Sequence, residues 1–188
     1  MRRLPGAYLE TIANETGVRS VSFQKIDVKE LSFNPFVKIG TEWMLITAGS
    51  GEKVNTMTAS WGGLGVLWSE NVGFVFIRPQ RYTRELVDQA DRFTLSFFDG
   101  AYKKELGVLG KRSGRDGDKI ADVGFTVLDF DGAPAFEQAK LVLVMKKLYR
   151  DTIKSECFIE KNADTQHYPD KDYHIMYIGR VEAAYRRV

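Results

Sequence analysis

The sequence is poor in the residues that build covalent cross-links and metal sites. It holds one cysteine, Cys157, and two histidines, His167 and His174, among 188 residues. A single cysteine excludes an intrachain disulfide, and two histidines without a cysteine cluster argue against a zinc site built by the chain. We therefore expect no bound metal, and we interpret Cys157 as structural.

An excess of one charge and long apolar runs are also lacking. Lys and Arg number 27 and Asp and Glu 25, for a net charge of +2. This balance argues against nucleic acid or an anionic membrane as the main partner. The opening MRRLPGAYLETIANETG has no apolar stretch of signal-peptide length, and no later run has membrane-spanning length. The sequence therefore predicts a cytoplasmic protein without a membrane partner.

The motifs of hydrolases and nucleotide-binding loops are missing as well. No G-x-S-x-G elbow surrounds a serine, and the close aspartates at 116/118 and 129/131 lie in turn-like contexts. Neither the glycines at 62–65 nor the stretch 110–119 matches G-x-G-x-x-G or the P-loop pattern. We predict no catalytic acid, base or nucleophile. Without a dinucleotide fingerprint, nothing distinguishes NADH from NADPH.

Short β-type segments are abundant. They cover residues 43–48, 54–61, 72–77, 93–98, 125–128, 139–149 and 173–185, with a hairpin turn at 49–51. Helical patterns cover only 83–90, with Thr83 as its N-cap, and 102–109. Many strands with few short helices predict a mainly β (α+β) antiparallel barrel rather than a Rossmann domain. We expect one domain over residues 1–188, with 1–34 as an N-terminal extension packed on the barrel.

One predicted strand is apolar on both faces. Residues 139–149 contain LVLVM, so one face suits the core and the other needs a second cover. We hypothesise that this second cover is a partner subunit.

Two segments carry the clearest functional signal. NTMTASWGGLGVLWS, from Asn55, predicts a strand that runs into small residues, where backbone groups can approach a flat polar ring. RPQRYTREL places Arg78 and Arg81 around a turn, before a helical pattern whose N-terminal N–H groups favour an anion. Together they suit the ring and the phosphate of flavin mononucleotide (FMN). The alternative is a plain β-barrel interaction module with solvated arginines and no cofactor.

The ordered set NTMTASWGGLGVLW, FIRPQRYTRELV, FTLSFF and KRSGRDGDK resembles the flavin reductase-like proteins of the flavoredoxin type, from about Trp43 to Val181. The segment HYPDKDYHIMYIGRVEAA resembles the final strand of that family, with Arg180 where an acidic residue is common. The resemblance implies a Greek-key split β-barrel that binds FMN and forms a homodimer.

The resemblance also implies a set of FMN-binding residues. Around the ring and ribityl chain it places Met57, Thr58, Ala59, Ser60 and Trp61. On the phosphate side it places Arg78, Arg81, Tyr82 and Thr83. Phe97 and Phe98 are expected to pack on the flavin edge, and the charged loop is expected to contribute Lys111, Ser113, Gly114 and Lys119. Lys111 or Lys119 would stabilise reduced flavin near its N1–C2 edge.

The function implied is an NAD(P)H-dependent flavin reductase or related FMN oxidoreductase, with hydride transfer from nicotinamide to flavin. Such a site needs no acid–base residue, because the cofactor carries the chemistry. The alternative is a flavoredoxin-type electron carrier that a redox protein partner reduces.

Overall fold

The structure, a computed structural model, describes residues 21–188, which form ten strands. These are β1 (Phe23–Ile26), β2 (Met44–Ser50), β3 (Lys53–Ala59), β4 (Gly62–Leu67), β5 (Glu70–Ile77), β6 (Arg92–Phe97), β7 (Val127–Phe130), β8 (Ala133–Phe136), β9 (Leu141–Thr152) and β10 (Ile175–Arg187). Seven of them follow the antiparallel order β3-β2-β6-β9-β10-β5-β4, β1 pairs with β10, and β7 and β8 form a separate hairpin.

The two edge strands of the large sheet are neighbours in the sequence. Only Ser60 and Trp61 separate β3 from β4. The chain therefore crosses directly from one edge strand of the sheet to the other. Gly62 makes the crossing possible: its φ is 146°, and a Cβ there would lie 2.5 Å from the carbonyl oxygen of Phe74. The predicted fold class, a split antiparallel β-barrel with few short helices, is confirmed.

Four α-helices complete the described part of the chain. They are α1 (Tyr82–Gln89), α2 (Lys103–Lys111), α3 (Lys119–Asp122) and α4 (Lys161–His167), with a π-helical turn at Phe36–Thr41 and short 3₁₀ turns at Val28–Glu30, Gly100–Tyr102 and Ser155–Cys157. Among residues 21–188, no helix is long and apolar enough to cross a bilayer.

The helix predicted at 83–90 is confirmed, but its predicted N-cap is wrong. α1 begins at Tyr82, with Arg81 in the extended N-cap conformation. Thr83 is therefore inside the first turn, and its hydroxyl bonds to a neighbouring strand instead of capping the helix. The turn between β2 and β3 also lies later than predicted, at Gly51-Glu52.

Strand β9 separates two apolar cores, because successive side chains point to opposite faces. Leu141, Leu143 and Met145 face the core inside the barrel. Val142 and Val144 face a second core, which α2, α3 and the β7–β8 hairpin of the same chain complete. The hypothesis that a partner subunit covers this second face is therefore wrong.

The described part of the predicted N-terminal extension packs on the barrel. β1 pairs with the last residues of β10, from Phe23 opposite Arg187 to Ile26 opposite Ala184. Phe23 is buried in the outer core. Residues 1–20 of the predicted extension lie outside the described residues.

Candidate functional site

A cleft of about 360 Å³ lies beside the start of β3. Three further features line it: Tyr82 at the N-terminus of α1, Gly114 in the loop between α2 and α3, and Lys119 at the start of α3. This volume is at the lower end of the range for small-molecule sites. The cleft thus collects residues from both sequence motifs and from the charged loop.

Asn55 connects the wall formed by β3 to the helix formed by the second motif. It is 3% exposed, and its Nδ2 donates a hydrogen bond of 2.9 Å to Oγ1 of buried Thr83. Gly114 lies against the same amide, since a Cβ on Gly114 would be 2.2 Å from Asn55 Oδ1. Asn55 was not among the predicted contact residues, although it opens the first motif. A polar amide at the start of a strand that ends in small residues was the available signal.

Lys119 is the deepest charge of the cleft. Its side chain is 2% exposed, and Nζ donates to the carbonyl oxygens of Leu109, at 2.8 Å, and Arg112, at 3.0 Å. These are carbonyls at the C-terminal end of α2, which need donors from outside the helix. Burial, together with the positive charges of Arg81 and Arg112, lowers the pKa of Lys119 to about 8. The prediction that KRSGRDGDK is an exposed loop is therefore wrong at Lys119.

Arg81 adds a second, partly buried cation. Its Nη1 donates to the carbonyl oxygen of Gly110 at 2.7 Å, whereas its Nη2 is buried and has no hydrogen-bond partner among the described residues. Burial lowers the pKa of Arg81. Within residues 21–188, no carboxylate contributes to the pKa of Arg81 or of Lys119. Buried cations without an anionic partner are costly, so this pair favours a bound anion.

The N-terminus of α1 favours an anion at the same place. No side chain caps its first N–H groups, and the positive end of the helix dipole adds to their attraction for negative charge. Tyr82, the first residue of α1, lines the cleft. The guanidinium of Arg115 lies over the Tyr82 ring, 5.0 Å from its centre, and forms an ion pair with Glu85.

The first motif offers backbone groups rather than side chains. Met57 and Ala59 point into the barrel core. Thr58 is covered by α2, because its hydroxyl donates to the carbonyl oxygen of Leu106 and a Cβ on Gly110 would lie 3.1 Å from its Cβ. β3 pairs with β2 alone among the described strands, so alternate N–H and C=O groups along its other edge are available.

The remaining predicted contacts lie away from the cleft or shape its loop. Phe97 is fully buried in the barrel core, and Phe98 is buried in the outer core, stacked on Phe125. Lys111 is exposed at the end of α2. Ser113 Oγ accepts a hydrogen bond from the backbone N–H of Arg115. The structure therefore places Tyr82, Gly114 and Lys119 on the wall of the cleft. Arg81 lies beside Lys119, and Thr83 contacts Asn55.

Arg78 belongs to a different cluster, formed with the segment before β10. It forms an ion pair with Asp172, donates to the carbonyl oxygen of His167 at 3.1 Å and stacks 5.4 Å from the Tyr168 ring centre. Its charge is thus neutralised within the chain. Although Arg78 and Arg81 are three residues apart, the structure gives them separate partners.

His174 is the buried centre of that second cluster. It is 6% exposed, its Nδ1 lies 2.9 Å from the Tyr168 hydroxyl, and its ring centre lies 5.0 Å from that of half-exposed Trp61. Burial and then the charge of Arg78 lower the pKa of His174 to about 4. The ring is therefore neutral at pH 7.

Neither the other histidine nor Arg180 adds a ligand group. His167 is exposed at the end of α4, and its carbonyl serves Arg78. Arg180 forms ion pairs with Glu70 and Glu182 at 3.3 and 3.1 Å. Among residues 21–188, no three His, Cys, Asp or Glu side chains group together as a metal site.

Comparison with solved structures identifies the fold. An FMN-binding protein from Thermus thermophilus is 26% identical, with a TM-score of 0.60 over 77% of this chain and 69% of that one. The flavoredoxin of Desulfovibrio vulgaris is 19% identical, with a TM-score of 0.60 over 92% and 75% of the two chains. The NADH:FAD oxidoreductase of Streptomyces globisporus is 18% identical, with a TM-score of 0.59 over 79% and 78%.

No family model matches the sequence, and no curated protein sequence matches it either. The fold is that of the flavin reductase-like, flavoredoxin-type FMN-binding split barrels, and the resemblance predicted from the sequence is confirmed.

Proposed function

We propose that the chain is a flavin-binding oxidoreductase and that its cleft holds FMN, with the phosphate beside Arg81, Lys119 and the N-terminus of α1. The observation that carries this proposal is the partly buried cation pair, in which Arg81 Nη2 has no partner among the described residues. A phosphate dianion would supply both the missing acceptor and the missing negative charge.

The rest of the cofactor fits the free edge of β3. Backbone N–H and C=O groups between Thr58 and Trp61 would hold the polar edge of the ring, since the strand pairs on its other side only. Arg78 is not included in the proposed site, because Asp172 already neutralises it. Lys119 is assigned to the phosphate rather than to the ring, because Arg81 is its charged neighbour.

Bound FMN would supply the hydride chemistry, and the chain's own residues would supply binding and orientation. Arg81 and Lys119 would hold the phosphate. The free edge of β3 would orient the ring through its backbone N–H and C=O groups. This division of roles accounts for a site without an acid–base pair.

The leading form of the proposal is an NAD(P)H-dependent flavin reductase. The second candidate is an electron carrier reduced by a protein partner. It is retained because a flavoredoxin aligns over 92% of the chain, compared with 79% for an NADH:FAD oxidoreductase. We also propose a homodimer, on the family resemblance alone, which light scattering of the purified protein tests.

Anaerobic reduction tests the function and separates the two candidates. The protein is mixed with FMN, NADH or NADPH is added in separate cuvettes, and the flavin absorbance is followed against a protein-free control. Bleaching that requires the protein supports the reductase and names its donor. A shifted spectrum of bound flavin that neither nucleotide bleaches supports the carrier. Absence of flavin binding contradicts both.

A further inference from the structure

We propose that Asn55 contacts the ribityl chain of bound FMN and that Thr83 is a positioning residue that fixes the Asn55 amide. This inference rests on the proposed function and assigns a new role to each residue. Thr83 becomes an internal support instead of a phosphate contact.

Thr83 contacts Asn55 and does not itself line the cleft. It is 1% exposed, and the residues that line the cleft include Asn55 and Tyr82 but not Thr83. Its hydroxyl oxygen already accepts a hydrogen bond from Asn55 Nδ2 at 2.9 Å. Thr83 therefore acts on the cleft through Asn55.

The amide of Asn55, which lines the cleft, has groups without a hydrogen-bond partner among residues 21–188. One N–H of Nδ2 is used by Thr83, and no hydrogen bond among residues 21–188 engages Oδ1. The second N–H and Oδ1 thus remain as one donor and one acceptor. A ribityl hydroxyl is both donor and acceptor, so it complements this pair, whereas a phosphate dianion accepts only and is served by Arg81 and Lys119.

The close approach of Gly114 to the Asn55 amide is a second, independent observation that supports the inference. A Cβ at this position would lie 2.2 Å from Asn55 Oδ1 and 2.7 Å from Cγ. Since Thr83 holds the amide from the other side, the side chain cannot move away freely. Because glycine has no Cβ, position 114 leaves space for the Asn55 amide.

Three flavins separate the parts of the ligand: lumiflavin has the ring, riboflavin adds the ribityl chain, and FMN adds the phosphate. Affinities of the full chain for all three are measured by flavin fluorescence. Asn55→Leu and Thr83→Val should lower the riboflavin-to-lumiflavin affinity ratio roughly three- to tenfold, as expected for one or two neutral hydrogen bonds. Both should leave the FMN-to-riboflavin ratio within about twofold of wild type. Thr83→Ser, which keeps the hydroxyl, should restore the wild-type ratios.

A matched glycine pair tests the same geometry without altering the amide or the hydroxyl. Gly114→Ala should lower the riboflavin-to-lumiflavin ratio, because the new methyl group displaces Asn55. Gly107→Ala, on α2 with open space around its Cα, should leave it unchanged. If Asn55→Leu fails to fold, Gly114→Ala and Gly107→Ala still test whether Asn55 contacts the ribityl chain.

Two results would overturn the inference. If Thr83→Val lowers the FMN-to-riboflavin ratio instead, Thr83 is a phosphate contact. If none of the variants changes the riboflavin-to-lumiflavin ratio, Asn55 does not contact the ribityl chain. A wild-type protein that binds none of the three flavins refutes the proposed function itself, which is a distinguishable result.

Discussion

Arg78 and Arg81 come from one short motif, yet they have opposite surroundings. Arg78 is neutralised by Asp172 and fixes the segment before β10 to the barrel. Arg81 lies next to Lys119, and one of its guanidinium nitrogens is buried without a partner among the described residues. The first arginine completes an internal ion pair, whereas the second has no anionic partner among residues 21–188. We propose that this difference in charge compensation separates a structural arginine from a binding one.

The largest predicted effect comes from removing each arginine in turn. Arg81→Ala should weaken FMN binding by about 1.5–3 kcal/mol, or roughly ten- to hundredfold, because a charge-assisted phosphate contact is lost. Riboflavin binding should change little. Arg78→Ala should lower the free energy of unfolding and keep the FMN-to-riboflavin ratio. Fluorescence titration and urea unfolding measure the two quantities. Equal loss of FMN affinity in both variants would remove the distinction between the arginines.

The second prediction concerns the pH dependence of stability in the Arg78 cluster. The folded state holds His174 neutral until about pH 4, whereas an unfolded histidine takes up a proton below about pH 6.5. The unfolded state thus binds more protons between these values, and stability falls as the pH is lowered through them. At pH 5 this loss is about 2 kcal/mol relative to pH 7.5.

Urea unfolding at pH 7.5 and pH 5 measures this difference. Between pH 7.5 and pH 5, the free energy of unfolding should fall by about 2 kcal/mol less in His174→Gln than in the wild type. His167→Gln, which changes an exposed histidine, is the matched control and should behave as the wild type. An identical pH dependence in His174→Gln and in wild type would show that His174 does not stay neutral in the fold.

The third prediction uses the pH dependence of binding in the Arg81 cluster. Lys119 loses its proton above about pH 8 in the free protein, and a neighbouring phosphate would retain that proton. FMN binding then takes up a proton above pH 8, so FMN affinity should fall roughly eightfold between pH 7.5 and pH 9. Riboflavin affinity should not show this decrease. Lys119→Met should abolish this fall in FMN affinity, whereas Lys104→Met, at an exposed lysine, should keep it. If the fall persists in Lys119→Met, another group causes it.

The smallest effect is expected from Tyr168→Phe. It removes the hydroxyl that lies 2.9 Å from His174 Nδ1 and leaves a buried ring in place. We expect a loss of about 1 kcal/mol in the free energy of unfolding at pH 7.5. FMN affinity should be unchanged, because this hydroxyl belongs to the Arg78 cluster. A change in FMN affinity without loss of stability would place Tyr168 at the binding site.

The sequence predicts the features that local pattern controls. The alternating strands and the helix after Arg81 follow from periodicity and helix-end chemistry. Strand β4 was missed, because GGLGVL carries three glycines, which β-strands usually avoid. It forms because β5 pairs with it along its whole length.

Features that depend on distant partners were not predictable. Asp172, which neutralises Arg78, is far along the chain, and nothing near either residue indicates the pairing. The burial of Lys119 depends on how α2 ends against α3, and the second face of LVLVM is covered by α2, α3 and the β7–β8 hairpin, which no local pattern assigns to it. Asn55 was overlooked because its contacts with Thr83 and Gly114 join distant parts of the chain.

The central claim is that the cation pair Arg81 and Lys119 makes this cleft a site for the phosphate of a flavin. Parallel titration of the wild-type protein with FMN and riboflavin at pH 7.5 and moderate salt tests it most directly. The account predicts that FMN binds at least tenfold more tightly, about 1.4 kcal/mol or more. Equal affinities for the two flavins, or binding of neither, would contradict it.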